Sequence, residues 1–426
     1  VLRLNSVDEL DYSDYLYPGD RLVWGQACGE PRTLVEHLVS GPLPPGVSAF
    51  VGIDVANTVR LEHAAHVRLT SYIGSGGNSA LHTAGLLDIT PVHYSTLPEF
   101  VSAAETGADV ALVRIPPPDP QGRVSLGNNH DYLADAVTHA RVVIAEIDER
   151  APYTGGDVEL TTADIDVAVP ARHPSAELAS RPPNAVQQRI AGHVANWIDD
   201  GATLQVGVGS LTDAVLAQLT DRRHLGLHSG QIPDGIVDLM MGGILTGERK
   251  ILDRGLAVGG MLMGTQRLFD FAHRNRQISL RRAGYTHSHA VLAQQPKLIA
   301  INSALEVDLT GQINSEVAHG RYVGAVGGAV NFLRGADASP GGVPIVMLPA
   351  TAGPVSRIVA TLSGPVSTPR SDAAVIVTEH GHADLRGLTL TQRADALIAI
   401  AAPEHRSQLS HAADAAFAAA RRSQIQ

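Results

Sequence analysis

Short apolar runs recur along the chain, separated by amphipathic stretches of about a dozen residues. "SAFVGIDVA", "ITPVHY", "DVALVRI" and "RVVIAEI" have the length and β-branched content of buried strands. "NSALHTAGLL", "LPEFVSAAETG" and "HDYLADAVTHA" lie between them with helical spacing. A strand buried on both faces must be covered by helices, and parallel neighbours need a crossover between them. The alternation therefore predicts an α/β chain with largely parallel sheets. A chain of 426 residues is long enough for more than one such core.

The alternation is interrupted once, at "DERAPYTGGDVELTTADIDVAVPARHPSAELASRPPN", where periodicity is lost and one strand is expected at "DVAVPA". It then restarts with the helix "AVQQRIAGHVANWIDDG", the strand "TLQVGVG", the helix "SLTDAVLAQLT" and the strand "LGLHSG". "LAVGGMLMG", "KLIAINSALEVDL", "VPIVMLPA" and "AAVIVTE" follow as further strands, and the tail reads as two helices split at Pro403. Two α/β domains are expected, 1–183 and 184–426. "DPQGRVS" (119–125) and "DLTGQIN" (308–314) share D-x-x-G-x-[VI]-[SN], consistent with two domains of one kind and a ligand cleft between them.

The formal charge is -11, so nucleic acid and anionic membranes are disfavoured partners, and 4% aromatic content gives no stacking platform for single strands. No run of about 18 apolar residues is present, so no membrane span is expected. The single cysteine, Cys28, excludes an internal disulfide and fits the cytoplasm. A lone buried cysteine is more often a core residue than a nucleophile. "HSH" (287–289) and "EHGHAD" (379–384) read as surface or loop polar groups, and no metal site is expected.

Three glycine turns precede helices. In "QVGVGSLTDAVL" (205–216), Gly207, Val208 and Gly209 present consecutive N–H groups to an anion, with Ser210 as the expected helix cap. "GAVGGAVNFLRGA" (324–336) places Gly327 and Gly328 before a helix, with Arg334 available to a phosphate, and "GSGGNS" (74–79) is the third. Plain tight turns produce such patterns more often than ligand loops do. In "HLGLHSGQIPDG" (224–235), neighbours His228 and Ser229 point to opposite faces of an extended strand.

Several of these segments occur together and in order: "DGATLQVGVGSLTDAVLAQL", "LGLHSGQIPDGIVDLMMGG", "INSALEVDLTGQINSE", "GAVGGAVNFLRGA" and "STPRSDAAVIVTEHGHADLRG". With "PVHYSTLPEF", "DVALVRIPPPDPQGRVSLG" and "ARVVIAEIDERAPYTGGD" from the first half, nearly the whole chain resembles the acetyl-CoA hydrolase/transferase family. That family includes the 4-hydroxybutyrate and butyryl-CoA:acetate CoA-transferases. The resemblance implies two CoA-transferase-type α/β domains with an acyl-CoA site between them. It implies oxyanion donors at Val208 and at Gly327 and Gly328. It also implies a glutamate nucleophile at the strand end, and that position falls on Gly230. The usual second loop carries Gln and Asp where this chain has Ala329 and Asn331.

Without the glutamate, three readings stand. Water attacks the thioester at the place left by Gly230, with His228 and Asp234 orienting it and Ser229 and Gln231 beside the substrate; this is favoured. Alternatively another carboxylate, Glu306 first, then Glu62 or Glu30, restores CoA transfer to a small carboxylic acid. Lastly, the chain binds acyl-CoA without catalysis. In each reading coenzyme A is substrate, product or ligand rather than a permanent cofactor, its phosphates meeting Arg334, Arg357 or Arg370. A homodimer is compatible with all three.

Overall fold

A computed structural model describes residues 1–64 and 66–423. The chain forms two compact units. The first contains residues 1–179, 227–237 and 255–288; the second contains 180–226, 238–254 and 289–426.

The first unit is built on eight strands, each parallel to its neighbours. Their spatial order is Leu2–Arg3, Val167–Pro170, Val142–Ile147, Val110–Ile115, Arg21–Trp24, Ser48–Val51, Arg68–Ser71, Leu87–Ile89. Val110–Ile115 is buried at every position, its charged Arg114 included. The chain builds outward from Arg21–Trp24 on one side as far as Leu87–Ile89. It then crosses back to Val110–Ile115 on the other side. The order therefore reverses between these two central strands, and ligands of open parallel sheets gather at such a switch point, beyond the strands' carboxyl ends. Residues 25–30 and 116–131 occupy that end.

A second parallel ladder of this unit joins Gly226–His228, Ala257–Gly259, Ile278–Leu280 and Gly155–Gly156. Beside it Gln231–Pro233 pairs with Met261–Met263. In the second unit Thr203–Gln205, Leu298–Ser303, Val343–Met347 and Val375–Thr378 lie parallel, and Gly381–Asp384 folds back antiparallel. Helices Ala185–Ala195, Ser210–Ala217, Ala329–Ala338 and Leu390–Ala399 belong to this unit.

Several sequence expectations need correction. "ITPVHY" is a strand only at its first residue, where Leu87–Ile89 ends: Pro91 has no N–H for a ladder, and Tyr94–Thr96 is a 3-10 turn. "LAVGGMLMG" breaks at Gly260 into two strands, and "KLIAINSALEVDL" breaks into Leu298–Ser303 and Glu306–Asp308. The aperiodic stretch holds two short strands besides Val167–Pro170, namely Gly155–Gly156 and Leu160–Thr161. "GHAD" is a strand rather than a loop, and His287 is buried rather than on the surface. Among the described residues no helix is long and apolar enough to cross a membrane.

The shared D-x-x-G-x pattern has a structural counterpart. The carbonyl of Asp119 accepts the N–H of Gly122 (2.8 Å), and that of Asp308 accepts Gly311 (2.9 Å). Oδ1 of Asp119 accepts the N–H groups of Gln121 and Arg123; Oδ1 of Asp308 accepts those of Thr310 and Gln312. The side chain four residues on returns to Oδ2 in both, Arg123 Nε at 2.6 Å and Gln312 Nε2 at 2.7 Å. Both glycines have a left-handed φ, +77° and +97°.

One buried ion network ties the central strands of the first unit. Arg114, on Val110–Ile115, donates through Nη1 to Glu146 and through Nη2 to Asp148 (2.6 Å). Glu146 also accepts the N–H groups of Thr33 (2.7 Å) and Leu34 (3.2 Å) at the start of helix Arg32–Ser40. Replacing Arg114 by Met leaves these carboxylates without their cation. Stability should fall by about 3–5 kcal/mol in denaturant titration at pH 7. The stranded Glu146 would then have its pKa raised by burial, so the folded variant would bind more protons than the unfolded chain. Part of the loss should return as pH drops from 8 towards 5, a recovery larger than the parent protein shows.

Candidate active site

Gly230 sits where the first unit passes from one ladder to the next. Ser229 N–H reaches the carbonyl of Val258 (3.0 Å), and the carbonyl of Gly230 accepts the N–H of Gly260 (2.9 Å). The carbonyl of Gly260 in turn accepts the N–H groups of His130 (2.9 Å) and Asp131 (3.1 Å). Gly230 is therefore pinned, through Gly260, to the segment at the sheet's switch point. Its φ lies outside the left-handed region, so the backbone there does not itself require glycine. Gly230 and Gln231 are half-buried, while His228 and Ser229 are fully buried.

His228 Nε2 lies 3.2 Å from the carbonyl of Thr286. A carbonyl can only accept, so Nε2 carries a proton. Asp234 does not serve His228. Both its oxygens accept the N–H of Thr265 at 3.1 Å, and Oδ1 also accepts the Thr265 hydroxyl. The Thr286 hydroxyl lies 2.9 Å from His287 Nδ1, and the His287 ring packs 4.7 Å from that of Tyr94. Burial pushes the His287 pKa down to about 3, so this imidazole is neutral at physiological pH.

Sequence reading missed the polar cluster this leads to. Gln26, directly after the central strand Arg21–Trp24, donates Nε2 to Tyr94 Oη (2.6 Å) and to Asp131 Oδ2 (2.8 Å). Its Oε1 accepts the Tyr72 hydroxyl and the N–H of Ile53, both at 2.9 Å. Asp131 further accepts the Tyr94 hydroxyl (3.1 Å) and the N–H of Leu133 (3.0 Å). Burial raises the pKa of Asp131 despite these donors.

In the second unit, Gly207, Val208 and Gly209 are half-buried between Thr203–Gln205 and helix Ser210–Ala217. The helix cap is Gly209, with φ of +103°, and not Ser210. The Ser210 hydroxyl instead accepts Gln187 Nε2 at 2.7 Å. Gly327 is left-handed at +56°, and Gly328 caps helix Ala329–Ala338. Arg334 is exposed on that helix, with Nε and Nη2 both 2.8 Å from Asp372 Oδ2. Arg370 donates to Gln312 Oε1 (3.2 Å), and burial lowers the pKa of Arg357.

The alternative carboxylates have other employment. Glu306 Oε1 accepts Asn314 Nδ2 (2.9 Å) and the N–H groups of Ser363 (2.7 Å) and Gly364 (3.2 Å). The Ser363 hydroxyl lies 2.9 and 3.0 Å from its two oxygens. Glu62 stands on an exposed turn. Glu30 is buried, accepts the Thr58 hydroxyl (3.0 Å), and has its pKa raised to about 8 by burial and then by the charge of Asp54. Cys28 is a core thiol whose pKa burial pushes up to about 12. Among the described residues no three His, Cys, Asp or Glu side chains gather to hold a metal ion.

Residues 4–174 match the acetyl-CoA hydrolase/transferase N-terminal domain, and residues 264–413 match the C-terminal domain of the same name. The chain belongs to the acetyl-CoA hydrolase/transferase family. Among curated members of this family, the 4-hydroxybutyrate coenzyme A transferase of Clostridium kluyveri is 36% identical over 404 residues, 91% of this chain and 92% of that protein. The crystal structure of RipA from Yersinia pestis superposes with a TM-score of 0.88 at 31% identity, over 94% of each chain. That of a 4-hydroxybutyrate CoA-transferase from Porphyromonas gingivalis gives 0.79 at 30%, over 96% of each. The family's N- and C-terminal halves are thus both present, on the fold its members share.

Two outcomes follow for the carboxylates. Glu306→Gln turns an N–H donor towards other donors and should cost about 2 kcal/mol in denaturant titration. If Glu306 is structural, acyl-CoA turnover should stay within about tenfold, whereas loss of a nucleophile would remove at least about a thousandfold. Glu30 has a folded pKa above its unfolded value, so its contribution to stability is greatest at acid pH and is lost as pH rises through about 8. Glu30→Gln should therefore flatten the stability profile, with a gain over the parent at pH 9 on the order of a few kcal/mol.

Proposed function

We propose that this member of the family cleaves acyl-CoA thioesters with water as acceptor, giving a carboxylic acid and free coenzyme A. The observation that carries this is Gly230. The family resemblance puts a nucleophilic carboxylate there, the backbone does not demand glycine, and this chain has no side chain at the position. The candidate replacements are bonded elsewhere (Glu306), buried with a raised pKa (Glu30) or on an exposed turn (Glu62).

In the reaction, water adds to the thioester carbonyl and its proton passes to a base. The tetrahedral oxyanion then collapses, breaking the C–S bond, and the thiolate of coenzyme A takes up the proton. The N–H of Val208 and those of the Gly327–Gly328 loop are the oxyanion donors in this scheme, and each such donor is typically worth about 3 kcal/mol in the transition state. His228 is the general base in this scheme. Gly207, Gly209, Ser229 and Gln231 line the substrate. Arg334, exposed on its helix, exchanges Asp372 for a coenzyme A phosphate in this scheme. A reducing cytoplasm fits the single cysteine.

The named transferases among the relatives favour a second reading, transfer of coenzyme A to a small carboxylic acid. A panel of acyl-CoAs scored for free thiol separates the two. Hydrolysis predicts thiol release without added acid, and no isotope exchange between acyl-CoA and labelled acetate. Turnover that depends on acetate with ping-pong kinetics would establish transfer instead. Gly230→Glu should bring in acyl-CoA:acetate exchange and suppress hydrolysis, with an enzyme–CoA adduct at residue 230 that hydroxylamine releases.

A further inference from the structure

The loop that carries Gly327 and Gly328 begins on one buried side chain, Glu316. Its amide donates to Asn314 Oδ1 (3.0 Å), and its carbonyl accepts the N–H groups of Val323 (2.8 Å) and Gly324 (3.0 Å). Its carboxylate accepts the Tyr322 hydroxyl and, at 2.6 Å, the Ser367 hydroxyl. Burial raises the Tyr322 pKa, and the bond to Glu316 raises it further, so this hydroxyl remains a donor at neutral pH.

Behind Glu316, Asn314 Nδ2 reaches Glu306 Oε1 (2.9 Å) and the carbonyl of Val317 (2.7 Å). A hydrogen-bonded path thus runs from the Glu306 carboxylate through the Asn314 side chain to the Glu316 amide, and from the Glu316 carboxylate to Tyr322. It closes the short hairpin of Val317–Ala318 and Arg321–Tyr322. The chain leaves that hairpin at Gly324, where an added Cβ would stand 1.9 Å from the carbonyl oxygen of Ser315. Gly327 and Gly328 have no side chains to hold them. The direction of their N–H groups is therefore set from the loop's two ends: helix Ala329–Ala338 on one side, Glu316 and Tyr322 on the other.

We propose that Glu316 and Tyr322 are positioning residues for the acyl-CoA reaction, holding the amides of residues 324–328 in the orientation an oxyanion requires. This rests on the assignment of that loop as an oxyanion donor. A donor contributes only if it lies close to 3 Å from the oxygen as charge develops, so loosening the loop lowers turnover more than binding.

The test uses Tyr322→Phe in the full chain, read in two ways. Amide hydrogen exchange across 323–328 should rise at least about tenfold, with exchange in Val343–Met347 unchanged. The kcat for acyl-CoA turnover, whichever acceptor is used, should fall about tenfold while KM stays within about twofold. Glu316→Gln, which can still accept the phenol, should retain more kcat than Glu316→Ala. Thr378→Val serves as the control. It removes a buried hydroxyl bond to the carbonyl of Ile400 (2.7 Å) in the same unit and should lower Tm without changing kcat. Unchanged exchange across 323–328 in Tyr322→Phe would overturn the positioning role and leave the proposed reaction standing. Raised exchange with unchanged kcat would show that the loop supplies no oxyanion donor, which removes the assignment beneath the proposal. An equal kcat loss in Thr378→Val would reduce Tyr322 to a general contribution to stability.

Discussion

The first unit depends on the carboxylate of Glu146. It is fully buried at the end of Val142–Ile147, faces Arg114 on the neighbouring strand, and takes the first N–H groups of helix Arg32–Ser40. An isolated buried carboxylate would be costly, and even a buried pair does not usually stabilise more than apolar packing would. Its value is in specifying position. Three elements from distant parts of the sequence can satisfy one another only in a single register. That register fixes the central strands of the sheet, and with them the switch point from which Gln26 and Asp131 project.

The same logic recurs in several turns of this chain. A carboxylate with N–H donors around it holds a loop: Asp119 and Asp308 in the repeated turn, Asp234 over Thr265, Glu306 over Ser363 and Gly364. Each such bond is stronger than a neutral one, and together they build rigid loops beyond strand ends where apolar packing runs out. The repeated turn in the two units extends the resemblance from sequence to hydrogen-bond pattern, down to the side chain four residues on. Its function in both is to reverse the chain tightly with a left-handed glycine.

What the sequence made legible follows from range. Strand–helix alternation is encoded within about ten residues, and most buried strands and most helices appear where periodicity puts them. The D-x-x-G turn is encoded within five. Strand breaks at Gly260 and between Ser303 and Glu306 were not legible, because apolar residues run through both. Nor was the Gln26–Tyr72–Tyr94–Asp131–His287 cluster. Its members span more than half the chain and meet only because the sheet order brings their loops together. The family resemblance supplied Val208, Gly230, Gly327 and Gly328, of which only one contributes a side chain beyond hydrogen. The roles that the resemblance implies for Val208, Gly327 and Gly328 rest on backbone N–H groups, which leave little mark on composition or periodicity.

Gly230 changes meaning in this setting. A nucleophilic carboxylate needs lone pairs that are not already engaged, since every hydrogen bond to the anion lowers its reactivity. The well-ordered carboxylates of this chain run the other way. Glu306 and Asp234 have their oxygens filled by backbone and hydroxyl donors, and Asp131 is held by an amide, a phenol and a peptide N–H. Moving one of them to a thioester would mean dismantling the loop it holds. A glutamate at residue 230 would not carry that cost, because the strand end there is fixed by its neighbours: Ser229 by Val258, and the Gly230 carbonyl by Gly260. Reactivity at this position is thus separable from architecture. On the proposed reading, a single substitution at residue 230 withdraws a nucleophile and leaves these backbone bonds in place.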